Sequence, residues 1–254
     1  MANIDINCDM GESFGTWKLG FDEETVPFVS SVNLACGFHA SDPLGIQRAV
    51  RLAKRHGVAV GAHPGFQDLV GFGRRNIAAS PEEIRADVIY QIGAVSAFCR
   101  AEGVRLQHVK AHGALYNRAE KHFETALAIA EAIKAVDPTL YMLCLAGSAM
   151  TEAAKSLGLP YAEEAFADRA YNADGTLVSR RLDGAVIHDA ETVAARVLRM
   201  VTERKVTTID GQELGVQAQT ICVHGDTPGA VEMVKAIRAR LESAQVELRA
   251  FGRT

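Results

Sequence analysis

Nowhere in this chain of 254 residues do about 18 apolar residues follow one another, the length that a membrane-crossing helix needs. The N-terminus also lacks a basic segment followed by an apolar run, the pattern of a secretory leader. These two absences predict a soluble, cytoplasmic protein with no membrane partner. The five cysteines are odd in number and show no CxxC spacing. Cys8, Cys36, Cys144 and Cys222 sit in strand-like stretches where a small buried thiol packs well, so core packing is expected ahead of metal binding or a nucleophilic role. A formal charge of −4 without any run of like charges leaves no basic field for nucleic acid.

What the chain has is 48% hydrophobic content, ample for one sizeable core. One α/β barrel of about 250 residues fits the length, so residues 1–254 are read as a single β/α-barrel domain. Short β-prone runs at 4–8, 32–36, 58–62, 107–110, 140–146 and 220–223 are bounded by turn residues. Between them lie helical patterns with readable ends. Asp42-Pro43 is a cap followed by a first-turn proline, and Gly57 closes that helix. Ser80-Pro81-Glu82-Glu83 is a capping box, and Gly103 ends its helix. Further helices are expected over roughly 122–136, 148–157, 189–204 and 228–243. Such alternation requires crossover connections and a mostly parallel sheet covered by helices, with a barrel favoured over an open doubly wound sheet. The longest irregular stretch, about 165–188, has the length of a functional or mobile loop.

Most chemistry-capable side chains stand where a strand ends: Asp9 and Glu12, His39 and Asp42, His63 and Asp68, Lys110 and His112, Asp168 and Arg169, His224 and Asp226. A parallel barrel would gather these ends at one rim. Two carboxylates around Gly11 can hold a cation, act as a base or shape a turn. Asp9, His39 and His63 would suit zinc, manganese or a related divalent ion if they meet in space, while a hydrogen-bonded network without metal accounts for the same residues. Gly71-Phe72-Gly73-Arg74-Arg75 offers two arginines able to clamp a carboxylate or phosphate, or simply a solvated loop. Lys110 and His112 alternate onto one face, and a buried ammonium needs a partner or a depressed pKa. Asp42 and Asp226 read as helix caps; His108, His122 and His188 read as structural or surface residues, and His56 as a partner of a helix C-terminus.

The ordered series NCDMGE, NLACGFHASDP, GAHPGFQDLVGFGRR, VKAHGALYN, FADRAYNADGTLVSR and ICVHGDTPGA resembles the LamB/YcsF family from residue 3 to about 243. The resemblance implies a distorted seven-stranded parallel β/α barrel like that of glycoside hydrolases and polysaccharide deacetylases. It also implies ATP-dependent 5-oxoprolinase activity, opening the lactam of 5-oxo-L-proline to L-glutamate in company with subunits B and C. For that reaction Asp9, Glu12, Lys110 and His112 are the candidate catalytic residues, and Asn33, Arg74, Asp168 and Arg169 the candidates for holding substrate. Asp9, His39 and His63 remain the candidate ligands of a divalent metal. No GxxxxGK[ST] loop or kinase-type glycine loop is present, so ATP is expected on the partner subunits or at an unrecognised site here. The alternatives are a metal-dependent deacetylase of N-acetylated sugars and a non-catalytic subunit that binds carbohydrate or lactam. Three positions depart from the family pattern: Ser41 replaces a usual glycine, and Gln67 and Ala111 replace usual prolines.

Overall fold

A computed structural model describes residues 2–224 and 229–252. Among these residues seven parallel strands close on themselves. In barrel order they are β1 (Asn3–Met10), β2 (Ser31–Ala35), β3 (Ala59–His63), β4 (Leu106–Val109), β5 (Tyr141–Leu145), β6 (Tyr161–Phe166) and β9 (Thr220–Val223). Closure comes from β9 pairing with both β6 and β1, with Asp5 opposite Thr220 and Cys8 opposite Val223 on the β1 side. Strands β2, β3 and β9 are buried at every residue, as expected when helices cover one face and the barrel interior the other. Two strands, β7 (Lys205–Thr207) and β8 (Glu213–Gly215), form a separate antiparallel pair, and β10 (Glu247–Leu248) lies parallel to the start of β1. No helix among the described residues is long and apolar enough to cross a membrane.

The helices begin and end where local chemistry dictates. Asp42 Oδ1 accepts from Gly45 N at 2.9 Å to start α2 (Pro43–His56), and Gly57 ends it in the left-handed region at φ 66°. Ser80 and Glu83 form the reciprocal capping box of α3 (Pro81–Ala101). Ser148 and Asp189 cap α6 (Ala149–Ser156) and α7 (Ala190–Thr202), and α5 (Phe123–Val136) and α8 (Ala230–Ser243) complete the main helical layer. Two short helices were not legible: α1 (Asp22–Thr25), which continues into a 3₁₀ turn at Val26–Phe28, and α4 (Gly113–Ala119). The reading of Asp226 or Thr227 as a cap, with its neighbouring anion-binding amides, falls outside the described residues.

Strand β6 corrects the reading of 165–188 as irregular from its start. Its sequence Tyr-Ala-Glu-Glu-Ala-Phe carries two adjacent glutamates and lacks an apolar pattern. Successive side chains point to opposite faces, so the two acids part company. Glu163 Oε1 accepts from Gly147 N at 3.0 Å, whereas Glu164 is fully buried.

The barrel interior is polar as well as apolar. Asp5, fully buried, accepts from the hydroxyls of Ser30, Ser31 and Thr220 at 2.6, 2.8 and 2.5 Å, yet burial still holds its carboxyl up to about 6. Gly61 in β3 is a packing requirement, because a Cβ there would lie 2.1 Å from Nε2 of the buried His108 ring. Ser41 stands at φ 73°, a left-handed conformation that glycine adopts freely and serine does not. Ser41→Gly is expected to raise stability by roughly 0.5–1 kcal/mol, the relief of strain being partly offset by the added freedom of the unfolded chain. Urea denaturation measures it: a higher midpoint at unchanged slope is expected, and a lower one would mean that the buried hydroxyl outweighs the strain.

Candidate active site

The rim is organised around one buried ammonium. Lys110 follows β4, is 2% exposed, and directs Nζ to Glu164 Oε1 at 2.9 Å, Asp9 Oδ1 at 3.3 Å and Asn7 Oδ1 at 3.2 Å. Burial would lower its pKa, but the Asp9 and Glu164 carboxylates raise it well above the ordinary value. Asp9 is the mirror case: burial would raise its carboxyl, while His63 and Lys110 hold it well below the usual range. Lys110 Nζ also lies 2.9 Å from Cys222 Sγ. Burial pushes that thiol well up, so Cys222 is a neutral member of the cluster. All five cysteines are buried and free, but Cys222 touches the site as well as the core, which corrects its assignment to packing alone.

Behind Asp9 a second polar layer fixes its angle. Asn33 lies opposite Asp9 in the β1–β2 register and donates Nδ2 to Asp9 Oδ1 at 2.8 Å and to Asn7 Oδ1 at 2.7 Å. Asn7 in turn donates to Glu164 Oε1 at 2.8 Å, and the Tyr116 hydroxyl donates to Glu164 Oε2 at 3.0 Å. Burial lowers the His108 pKa to about 3, so its neutral ring meets Asn33 Oδ1 at 2.7 Å.

Two backbone carbonyls set the tautomers of the histidines in front of this layer. A carbonyl can only accept, so His63 Nδ1, 2.7 Å from Lys110 O, carries a proton, as does His112 Nε2, 2.8 Å from Phe72 O. The remaining nitrogens, His63 Nε2 and His112 Nδ1, then face each other at 3.0 Å, with Asp9 Oδ2 3.3 Å from His63 Nε2. Two lone pairs at that distance repel unless a proton or a cation lies between them. These bonds also orient Lys110 and His112 on either side of Ala111.

His39 stacks flat on His112, with ring centroids 3.7 Å apart and 3° between planes. Both His39 nitrogens are buried without a hydrogen-bond partner among the described residues. Burial, reinforced by the neighbouring imidazoles, holds His39 and His112 well below the usual histidine range. Gly73, at φ 62°, permits the covering loop to come this close: a Cβ there would lie 2.7 Å from His112 Cδ2 and 2.8 Å from His39 Cβ. Donor atoms of Glu12, His39, His63 and His112 all lie within 4.8 Å of one another, a nitrogen-rich set that could hold a transition-metal ion. The expected triad therefore changes membership. Asp9 touches His63, but it groups at ligand distance with Cys222 and His224, while Glu12 and His112 join the imidazoles.

A cavity of about 810 Å³ opens over this cluster, lined among others by Asp9, Glu12, Lys110, His112, Arg74 and Arg169. Asn33 and Asp168 do not line it. Asn33 is fully buried behind Asp9, and Asp168 is 1% exposed, with its carboxylate accepting from His224 Nδ1 at 2.8 Å. Arg74 lies over the Phe72 ring at 4.8 Å, and Arg75, also at the cavity wall, pairs with Asp68. Asn7, Tyr116, Glu164 and Cys222 were missed as site residues; for Glu164 the one available signal was an acidic pair inside a short stretch flanked by apolar residues.

Fold and rim define an α/β-barrel protein with a polar cavity of small-molecule size. The chain matches the LamB/YcsF family over residues 4–254 and belongs to it. It is 55% identical to a protein from Clostridium beijerinckii named as a 5-oxoprolinase subunit, over 98% of this chain and 97% of that one. The protein of the same name from Thermus thermophilus is 56% identical over 98% and 99% of the two chains. The crystal structure of a lactam utilization protein from that organism superposes with a TM-score of 0.94 at 55% identity, covering 98% of this chain and 100% of that one.

Removing the Lys110 ammonium would leave Asp9 and Glu164 buried without their counter-charge. Lys110→Met is expected to cost about 3 kcal/mol in urea denaturation, and Lys110→Met with Glu164→Gln to recover most of that loss. A single variant as stable as the wild type would show that the charges are not held as described.

Proposed function

We propose that this chain is the lactam-opening subunit of an ATP-dependent 5-oxoprolinase, converting 5-oxo-L-proline to L-glutamate with subunits B and C, which bind and cleave ATP. The carrying observation is the close cluster of Asp9, His63 and His112 at the floor of the cavity, in a chain alike along its length to proteins named for that activity. The absence of a recognisable phosphate loop from the sequence supports nucleotide binding by the partners.

Opening an amide needs an activated water and a proton for the departing nitrogen. Asp9, kept ionised by His63 and Lys110, takes a proton from water as the water oxygen attacks the lactam carbonyl carbon. The ring C–N bond then breaks, and its nitrogen takes the proton held between His63 and His112. Asp9 returns its proton to that pair, so the net change is the addition of one water. Lys110 keeps Asp9 charged and aimed, while Arg74 holds the substrate carboxylate through paired N–H donors. A divalent ion held by Glu12, His39, His63 and His112 would stand in place of that shared proton and supply Lewis-acid activation of the water; Asp9 would still be the base, and the proton it takes from water would pass directly to the departing nitrogen.

In the reconstituted complex, Asp9→Asn is expected to lower kcat for glutamate release by at least about 10³-fold in a chain that stays folded at the assay temperature, as circular dichroism checks. Full activity of that variant would sink the assignment. Elemental analysis addresses the ion separately. About one equivalent of a transition metal is expected in the wild type after growth and purification without chelator, and much less in His39→Ala. A wild type free of metal, and active in the presence of chelator, would leave the shared proton as the only occupant.

A further inference from the structure

Seven lysine and arginine side chains line the cavity against three carboxylates, in a chain whose formal net charge is −4. Two of these cations are committed, Lys110 to Asp9 and Glu164, and Arg75 to Asp68. Lys121 lies 3.7 Å from Glu120. The loop after β6 contributes Arg169, Arg180 and Arg181, none of which forms an ion pair within the described residues. Arg169 is only 5% exposed; its Nη2 donates to Val178 O at 2.6 Å, and its Nε has no partner among the described residues. Burial and the neighbouring Arg180 guanidinium together lower its pKa to about 10 against the opposing pull of Asp168, whose carboxylate is already bonded to His224, so two like charges are held close. Glu120 offsets them only in part, because burial holds its carboxyl up to about 7.

A lactam with a single carboxylate needs one bidentate guanidinium. Three arginines with an unused buried donor exceed that need and match a group with three acceptor oxygens and nearly two negative charges. We propose that Arg169, Arg180 and Arg181 form a phosphoryl-binding subsite in the cavity that also contains the Asp9–His63–His112 cluster. The phosphoryl dianion has two sources, inorganic phosphate or a phosphoryl group carried on the substrate. Only the second rests on the lactam-opening reading.

The test is calorimetric titration of the full chain in phosphate-free buffer with inorganic phosphate, with phosphonoacetate, and with acetate as a single-charge control. Saturable binding of the first two and none of acetate is expected. Arg180 and Arg181 are both exposed, so R180A/R181A is expected to keep its thermal midpoint while losing at least tenfold in affinity for both dianions. Phosphonoacetate binding ten times tighter than phosphate identifies a substrate-borne group, and equal or weaker binding identifies free phosphate. Phosphate affinity indifferent to the two arginines, or no saturation by about 10 mM in the wild type, overturns the subsite. Glutamate release by the reconstituted complex separates the two readings. Its absence beside arginine-dependent phosphate binding removes the lactam reading alone, and its presence beside arginine-independent binding removes the subsite alone.

Discussion

The arrangement depends on a positive charge kept inside the barrel. An ammonium taken out of water costs several kcal/mol unless carboxylates and hydrogen bonds replace its hydration, and around Lys110 that replacement comes from separate strands. Asn7 and Asp9 belong to β1, Glu164 to β6 and Cys222 to β9. These three strands meet at the seam where the barrel closes. Because side chains alternate across a strand, sliding any of them by one residue would turn its Lys110 partner to the opposite face. The charge therefore selects the register of the closing seam as well as the ionisation of Asp9.

The histidine cluster depends on that seam in turn. His63 ends β3, and its Nδ1 is fixed by the carbonyl of Lys110 itself, so the strand that delivers the ammonium also sets which imidazole nitrogen faces Asp9. On the other side, the loop carrying Phe72 and Gly73 closes over His39 and His112 and supplies the carbonyl that fixes the second tautomer. Neither histidine is free to rotate and relieve the 3.0 Å meeting of His63 Nε2 with His112 Nδ1. Reactivity is thus built from two ordinary carbonyl bonds whose combined effect leaves room for one proton or one cation.

How far this was legible follows from the range of each interaction. Caps at Asp42 and Ser80 involve residues three apart in sequence, and both were readable. Rim residues such as Asp9, His63, Lys110 and His112 were readable because a parallel barrel puts every strand end on one side. The layer to which a side chain belongs was not readable. Asn33 and Asp168 have the chemistry to bind a substrate, but the β1–β2 register turns Asn33 towards Asp9, and His224 claims the Asp168 carboxylate. Glu164 and Cys222 escaped because their shared partner, Lys110, lies far away in sequence. The left-handed backbone of Ser41, at φ 73°, was likewise invisible in the residue type.

The two faces of the cavity are built on different supports. Asp9, His63 and Lys110 sit in or directly after barrel strands, where neighbouring strands and buried partners fix them. Arg180 and Arg181 sit on an exposed loop held by short bridges, Arg169 to Val186 and Tyr171 to Leu177. A base must keep its angle to the reacting carbon through the whole reaction, which favours the rigid support. A group that captures a mobile anion from outside gains from exposed cations, which draw it in before any contact forms. Under the proposed roles, fixed Asp9 and exposed arginines divide the cavity into a site of chemistry and a site of capture.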